Sequence, residues 1–363
     1  MAVTAPLIER SSALRRLRQF GKAMTTPLSP DDYLALINPL WSQRELRGRI
    51  EKVERITDRA ATLHIRPGWG WSFDHAPGQY IGIGVEIDGK FHWRSYSLSS
   101  VPLVEGKTVS ITVKAMPEGF LSDHLVNGLA PGTIVRLASP QGDFVIPDPP
   151  PAKMLMLVGG SGITPIMSIL RTMDRRGSIP DVVLAYSAVS EEDMMFVHEL
   201  RVLALRYKSF TFYERFTDAD GMLTADQLDT VCADWKEREA WACGPGPMLD
   251  AFSAHFEAEG RLDHLHVERF TLNLASGGEG GTVTFGVGGP TVEVDGATTL
   301  LEAGEKAGIN MLFGCRMGIC HTCDVPLASG RIRDLRSGNE HSEPNEYIQT
   351  CISVAAGDCT LTL

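Results

Sequence analysis

The sequence predicts a multidomain chain of mixed class: an antiparallel β-barrel, then a parallel α/β domain, then a small strand-rich domain around a cysteine loop. Three observations carry this. Between Arg49 and about Pro147, six apolar or alternating runs of strand length are punctuated by Gly, Pro and Asp, the pattern of a small barrel. From Lys153, strand-like and helix-like runs alternate, which implies parallel strands joined by helices. Beyond a Gly/Ser-rich stretch, short strands return around Cys315, Cys320 and Cys323.

Composition narrows the function. A chain of 363 residues has room for two or three cores. With 43% hydrophobic and 22% charged residues it reads as soluble and globular. The longest apolar stretch, MLMLVGGSGITPIMSIL, is interrupted by Gly, Ser and Pro and is too short for a membrane span. The start lacks a signal-peptide pattern, so a cytoplasmic location is expected. A net charge of −11 argues against nucleic acid as a partner. Seven cysteines, an odd number, argue against a disulfide framework and for metal or redox work.

Taken in order, residues 1–48 form a net basic extension with seven Lys/Arg against four Asp/Glu. Two short helices are expected there, the second starting near Ser29 or Asp31. Residues 49–150 carry the barrel strands, RGRIEKVERI, AATLHIRP, QYIGIGVEI, KFHWRSYSLSS, KTVSITVKAM and TIVRLASP. PDPPPAK then links to the α/β domain, residues 151–270. There MLMLV, DVVLAYSA, SFTFYERF and AWACG read as strands, and ITPIMSILRTMDRRG, MMFVHELRVLALRY and PMLDAFSAHFEAEG as helices. A flexible linker, 271–281, leads to the last domain, 282–363, where five Lys/Arg face ten Asp/Glu.

The cysteine spacing is Cys315-x4-Cys320-x2-Cys323, with Cys351 after 27 further residues, the spacing of a plant-type [2Fe–2S] site. Gly314 and Gly318 let the backbone approach, so that N–H groups can point at sulfur. Zinc is the competing reading, but structural zinc takes paired C-x2-C knuckles and this chain has one. Cys359 reads as a buried core cysteine. His321 is not required as a ligand.

Two further stretches suggest nucleotides. In MLMLVGGSGITPIM, Gly159, Gly160 and Gly162 follow a strand, and Thr164-Pro165 open a helix, with Thr164 as its cap. Such a turn admits a pyrophosphate to a helix N-terminus, although a plain tight turn explains the glycines equally. Cys243-Gly244-Pro245 ends a strand and would lie at the same sheet edge; Cys243 alone reads as a small buried residue. In the barrel, Arg94 and Tyr96 share a strand face, one suited to a phosphate and the other to a flat ring. Lys114 to Ser122 (KAMPEGFLS) offers Gly119 and a helix-starting Ser122 near another phosphate.

The last 80 or so residues resemble a ferredoxin, which implies a β-grasp domain. Pro77 to Tyr80, Arg94 to Ser97, Gly119 to Ser122, Gly159 to Pro165 and Cys243 to Pro245 together, in that order, resemble the ferredoxin-reductase-like flavoproteins over about residues 46–270. That resemblance implies that Arg94 binds the flavin diphosphate, Tyr96 stacks on the isoalloxazine, Ser97 lies near N5 and Cys243 faces the nicotinamide C4. Glu268 and Phe270, in VERF, stand at the end of this module, where the resemblance implies an aromatic, Phe270, against the flavin. EGFLSDHL resembles the FAD branch rather than the FMN one. The expected activity is an NAD(P)H-dependent FAD/[2Fe–2S] reductase. A hydride donor delivers two electrons at once, a cluster accepts one, and a flavin converts between them.

The acceptor and coenzyme are finer expectations. DDYLALINPLWSQRELRGRIEKVERIT resembles actinobacterial reductases that serve membrane acyl-CoA desaturases, which makes a desaturase the expected acceptor. The alternatives are a soluble hydroxylase of phenylacetyl-CoA or ketosteroid type, or a redox carrier that no longer turns over nicotinamide. YSAVSEED, with Val189, Glu191 and Glu192, favours NADH locally. The desaturase resemblance favours NADPH, with Arg215 or Lys208 as the cation, and NADPH is the expectation. In LRRLRQFGK, Leu14, Leu17 and Phe20 form a stripe among basic residues, which reads as packing or as peripheral contact with an anionic membrane.

Overall fold

The computed structural model describes residues 30–42, 46–71, 74–87, 90–102, 108–116, 120–270, 278–286, 288–313, 318, 321–335 and 337–363. The basic stripe of the arm, Gly119, Cys315, Cys320 and most of the expected linker lie outside them.

Helix α1 (Pro30–Ile37) is the second helix expected in the arm. It leads through a short turn, Pro39–Trp41, capped by the Asn38 side chain. Leu40 is buried, its carbonyl accepts from Trp69 N at 2.8 Å, and Trp41 stacks on Trp69 with ring centroids 5.1 Å apart.

The barrel strands are β1 (Arg47–Thr57), β2 (Ala60–Pro67), β3 (Tyr80–Ile87), β4 (Lys90–Ser97), β5 (Val109–Lys114) and β6 (Ile134–Leu137). They pair antiparallel in the order β4-β3-β6-β1-β2-β5. A bridge between Leu98 and Ile111, with Ser99 N donating to Ser110 O, joins β4 to β5 and closes the barrel. Side chains such as Ile50, Leu63, Ile83 and Ile111 fill it without exposure. Gly84 is required because a Cβ there would stand 2.4 Å from the Trp93 ring. A short helix α2 (Phe120–Asp123) follows β5.

The α/β domain runs β7 (Lys153–Gly159), α3 (Ile163–Arg175), β8 (Asp181–Ala188), α4 (Val197–Arg206), β9 (Phe210–Phe216), β10 (Glu239–Cys243), α5 (Gly246–Ala258) and β11 (Leu265–Glu268). The sheet is parallel, in the order β11-β10-β7-β8-β9. MLMLV is apolar throughout because both faces are covered. Met154, Met156 and Val158 join one core, and Leu155 and Leu157 the other. β11 is not among the predicted strands. Its sequence, LHVE, has no apolar run, and its pairing with β10 makes it a strand.

The final domain has β12 (Gly281–Phe285), β13 (Thr291–Val294), α6 (Leu300–Lys306), β14 (Asp324–Asp334), β15 (Glu340–His341), β16 (Tyr347–Gln349) and β17 (Ser353–Leu361). The sheet order is β13-β12-β17-β14-β15, with β12 and β17 parallel and β16 added to β14. Thr299 and Glu302 form a reciprocal capping box at the start of α6. Leu300, Leu301 and Ala303 bury that helix under the sheet, giving the predicted β-grasp arrangement.

Candidate cofactor cleft and metal centre

The order of the α/β strands reverses at β7, with β10 on one side and β8 on the other. Ligands of such sheets bind at the carboxyl ends of strands beside that reversal. There the structure has a cleft of about 810 Å³, walled on one side by barrel residues and on the other by α/β residues, a size that suits nucleotide-like ligands. Of the predicted residues, Arg94, Tyr96, Ser97, Lys114, Ser122, Gly159, Gly160, Thr164, Gly244, Pro245 and Phe270 line it.

On the barrel wall, Arg94 is exposed and donates to the Trp93 carbonyl at 2.8 Å. Burial pushes the Tyr96 phenol up to about 12 despite the neighbouring Arg94, so the ring is neutral. Ser97 is 4% exposed at the cleft edge. The Ser95 hydroxyl also lines the cleft, buried and without a protein hydrogen-bond partner. Such an orphaned group fits a wall that a polar ligand completes. Lys114 is already paired with Asp193 of the α/β domain at 3.1 Å. Ser122 does not start its helix: it is the third residue of α2, and its hydroxyl accepts from Met116 N.

On the α/β wall, the glycines have different reasons. Gly160 has φ +53 and open space where a Cβ would stand. A Cβ on Gly162 would lie 2.0 Å from the Cys243 carbonyl, and one on Gly244 would lie 2.6 Å from Met248 and 2.9 Å from Gly159 N. The two strand-end turns therefore pack backbone to backbone. Thr164 is not the cap of α3. A 3-10 turn, Gly160–Gly162, precedes the helix, and Thr164 is its second residue, donating to Ser161 O at 3.0 Å. Pro165 follows as the third, still within the first turn, where no N–H is needed.

Cys243 is not on the cleft wall. It is wholly buried in the core beneath the glycine turn, and burial, with Glu268 beside it, pushes its thiol up. It pairs across the sheet with Glu268, whose carboxyl is raised to about 7 by burial and by Asp143. Arg269, not singled out from sequence, lines the cleft and pairs with Asp250 at 2.6 Å. Its neighbour Phe270 is exposed there. At the end of β8, Val189 is exposed, Glu191 is held by Arg201 and Glu192 by Ser190. Arg215 donates to the carbonyls of Asp220, Gly221 and Met222, which fix its position and leave its charge in place.

In the β-grasp domain, Cys323 and Cys351 are buried side chains of its core. Gly318 N donates to Cys351 Sγ at 3.3 Å, the N–H to sulfur contact that suits a thiolate ligand. Gly318 has φ +68, and a Cβ there would meet Ile352 at 2.4 Å. These features fit an iron–sulfur loop. His321 turns its Nδ1 to Asp324 at 2.9 Å and is exposed. Cys359 is a core thiol raised to about 11 by burial. Among the described residues no group of three or more ligating side chains forms a metal site.

The chain matches three family descriptions in succession: an oxidoreductase FAD-binding domain over residues 49–146, an oxidoreductase NAD-binding domain over 156–254, and a 2Fe-2S iron-sulfur cluster binding domain over 286–356. It is 53% identical to an NADPH oxidoreductase of Mycobacterium tuberculosis over 358 residues, covering 98% of this chain and 94% of that one. It is 31% identical to the glycine betaine monooxygenase reductase subunit of Chromohalobacter salexigens, over 77% of this chain and 85% of the relative. It is also 31% identical to the ferredoxin reductase component of 3-ketosteroid-9-alpha-monooxygenase from Mycolicibacterium smegmatis, over 76% and 80%. Among solved structures, phthalate dioxygenase reductase shares the fold, with TM-score 0.59 and 21% identity over 88% of this chain and 98% of that chain.

Proposed function

Since this chain belongs to the ferredoxin-reductase-type FAD- and NAD-binding oxidoreductases with a C-terminal 2Fe-2S domain, we propose that it is the reductase component of an oxygenase system, passing electrons from NAD(P)H to a monooxygenase of the betaine or ketosteroid kind. The observation that carries this is the single cleft shared by the Arg94–Ser97 strand and both glycine turns, in a chain that also has a cluster domain. Two of the relatives named above are reductases of monooxygenases, one of the betaine and one of the ketosteroid kind.

In this reading Arg94 holds the FAD diphosphate, Tyr96 and Phe270 bracket the ring, and Ser97 sits at its reacting edge. Gly160 opens the turn before α3 to the coenzyme diphosphate. Cys243 supports that turn from below and does not meet the nicotinamide itself. Cys315, Cys320, Cys323 and Cys351 hold the cluster. When bound, the flavin takes electrons as a pair and releases them singly.

NADPH is the proposed donor. The 53% identical relative carries that coenzyme in its name, and this supports the choice more than the residues after β8 do. A kcat/KM ratio favouring NADH tenfold or more would overturn it.

A membrane acyl-CoA desaturase is a second acceptor reading. Helix α1 favours it by leaving Tyr33, Leu34, Leu36 and Ile37 exposed beside the barrel, and no helix among the described residues is long and apolar enough to cross a membrane itself. The deciding experiment supplies the purified chain and NADPH to a monooxygenase of each named kind and to a membrane-embedded desaturase. Product from a monooxygenase supports the main reading. Product from the desaturase alone replaces it with the second.

A further inference from the structure

We propose that Asp193 is a release element for the nicotinamide coenzyme, holding Lys114 across the cleft and yielding it when a coenzyme diphosphate arrives. The inference rests on the assignment of the cleft made above. Among the described residues four permanent cations line it: Arg59, Arg94, Lys114 and Arg269. They are of two kinds. Arg94 and Arg59 donate to main-chain carbonyls, Trp93 O at 2.8 Å and Ala115 O at 3.2 Å, and neither is paired with a carboxylate among the described residues. Lys114 and Arg269 are held by carboxylates, Asp193 at 3.1 Å and Asp250 at 2.6 Å.

Asp193 differs from Asp250 in place. It is the one carboxylate among the described residues of the cleft wall. Its pair with Lys114 is shielded, the side chains being 23% and 17% exposed, so water screens it less than a surface pair. It also joins the two domains, since Lys114 ends β5 and Asp193 lies in the loop after β8. Asp193 and Gly160 line the same cleft, and Tyr186 donates to Gly160 O at 3.0 Å. The carboxylate thus shares the cleft with the glycine turn that precedes α3, where an anionic ligand is otherwise favoured.

An acid at such a place repels the ligand that the turn attracts. The two ligands of the cleft explain the arrangement. Flavin stays through many turnovers, and the first kind of cation suits it. The coenzyme must leave after each hydride, and a cation that returns to a waiting carboxylate lowers the free energy of the emptied site. Asp193 thus weakens coenzyme binding and speeds departure.

The test is Asp193→Asn in the full FAD-loaded chain. NADP+ is titrated by its perturbation of the flavin spectrum, alongside FAD content and the NADPH–ferricyanide rate. NADP+ should bind about five-fold more tightly, the effect of a pair worth about 1 kcal/mol. The KM for NADPH should fall with it, FAD content should hold, and Asp193→Glu should keep wild-type values. Unchanged or weaker NADP+ binding overturns the proposal, weaker binding meaning that Asp193 merely orients Lys114. Should Asp193→Asn not fold, Lys114→Arg takes its place. Its fork can hold the carboxylate and a phosphate together, so slower NADP+ release is expected and unchanged release overturns the idea. A wild-type chain that fails to oxidise NADPH overturns the functional reading instead.

Discussion

Gly160 and Gly162 stand two residues apart under different constraints. At Gly162 an added methyl meets the Cys243 carbonyl at 2.0 Å, and both partners are backbone. Gly162→Ala should therefore cost about 1–3 kcal/mol through overpacking, read as a fall in the Tm of the FAD-loaded chain. At Gly160 the space is open and only φ +53 opposes a side chain, so Gly160→Ala should cost about 1–2 kcal/mol, with NADP+ affinity falling more than Tm. Equal effects on both readouts at both positions would refute the distinction. Glu268 carries a pH prediction. Its carboxyl is raised from 4.5 to about 7, first by burial and then by Asp143. Between those values the unfolded chain has lost the proton and the native chain keeps it, so stability falls as pH rises from about 4.5 to about 7. Glu268→Gln should remove that part of the slope, and denaturant melts across the interval check it.

At the scale of elements, the sequence is most legible where local pattern and tertiary setting agree. MLMLV is a strand buried on both faces, whereas α6, with its Thr299–Glu302 capping box, is not among the expected elements. Thr164 misleads as a cap because the 3-10 turn before it moves the helix start. β11 is hidden because His266 and Glu268 interrupt its apolar character, and hydrogen bonds to β10 decide it. The Lys114–Asp193 pair leaves no local trace, since only docking of the two domains brings it together. At Cys243 the local reading, a small buried residue ending a strand, agrees with the structure, whereas the resemblance points the thiol into the cleft. The arm follows the same division. Its turn Pro39–Trp41 belongs to the barrel through Leu40 and the Trp41–Trp69 stack. Deleting 1–41 should lower the Tm further than deleting 1–29, by removing a buried Leu and a stacked ring, together worth about 2–4 kcal/mol. Equal Tm values for the two truncations would show that the turn does not support the barrel.

For the molecule as a whole, the informative feature is the separation of the β-grasp core from the other two domains. One cluster fills the barrel, two cover the faces of the parallel sheet, and a fourth, containing Cys323 and Cys351, belongs to the β-grasp domain. One cluster of the parallel sheet takes in Ala60 of β2 and Phe144, whereas the β-grasp core contains only residues of its own domain, so that domain can lose its ligand without unfolding the other two. Cys351→Ser removes one thiolate and the sulfur to which Gly318 N donates. Four thiolates are needed for two irons, so the cluster should be lost, with acid-labile sulfide falling from two per chain towards none. FAD content should hold, because none of the described residues lining the cleft comes from the β-grasp domain. The functional consequence separates the two electron exits. Ferricyanide can take electrons from the flavin, so NADPH–ferricyanide activity should persist, while turnover with the oxygenase should fall to background. Loss of flavin together with the cluster would show that the domains depend on one another. Retained oxygenase turnover without a cluster would show that electrons leave directly from the flavin, and the β-grasp domain would then need another role.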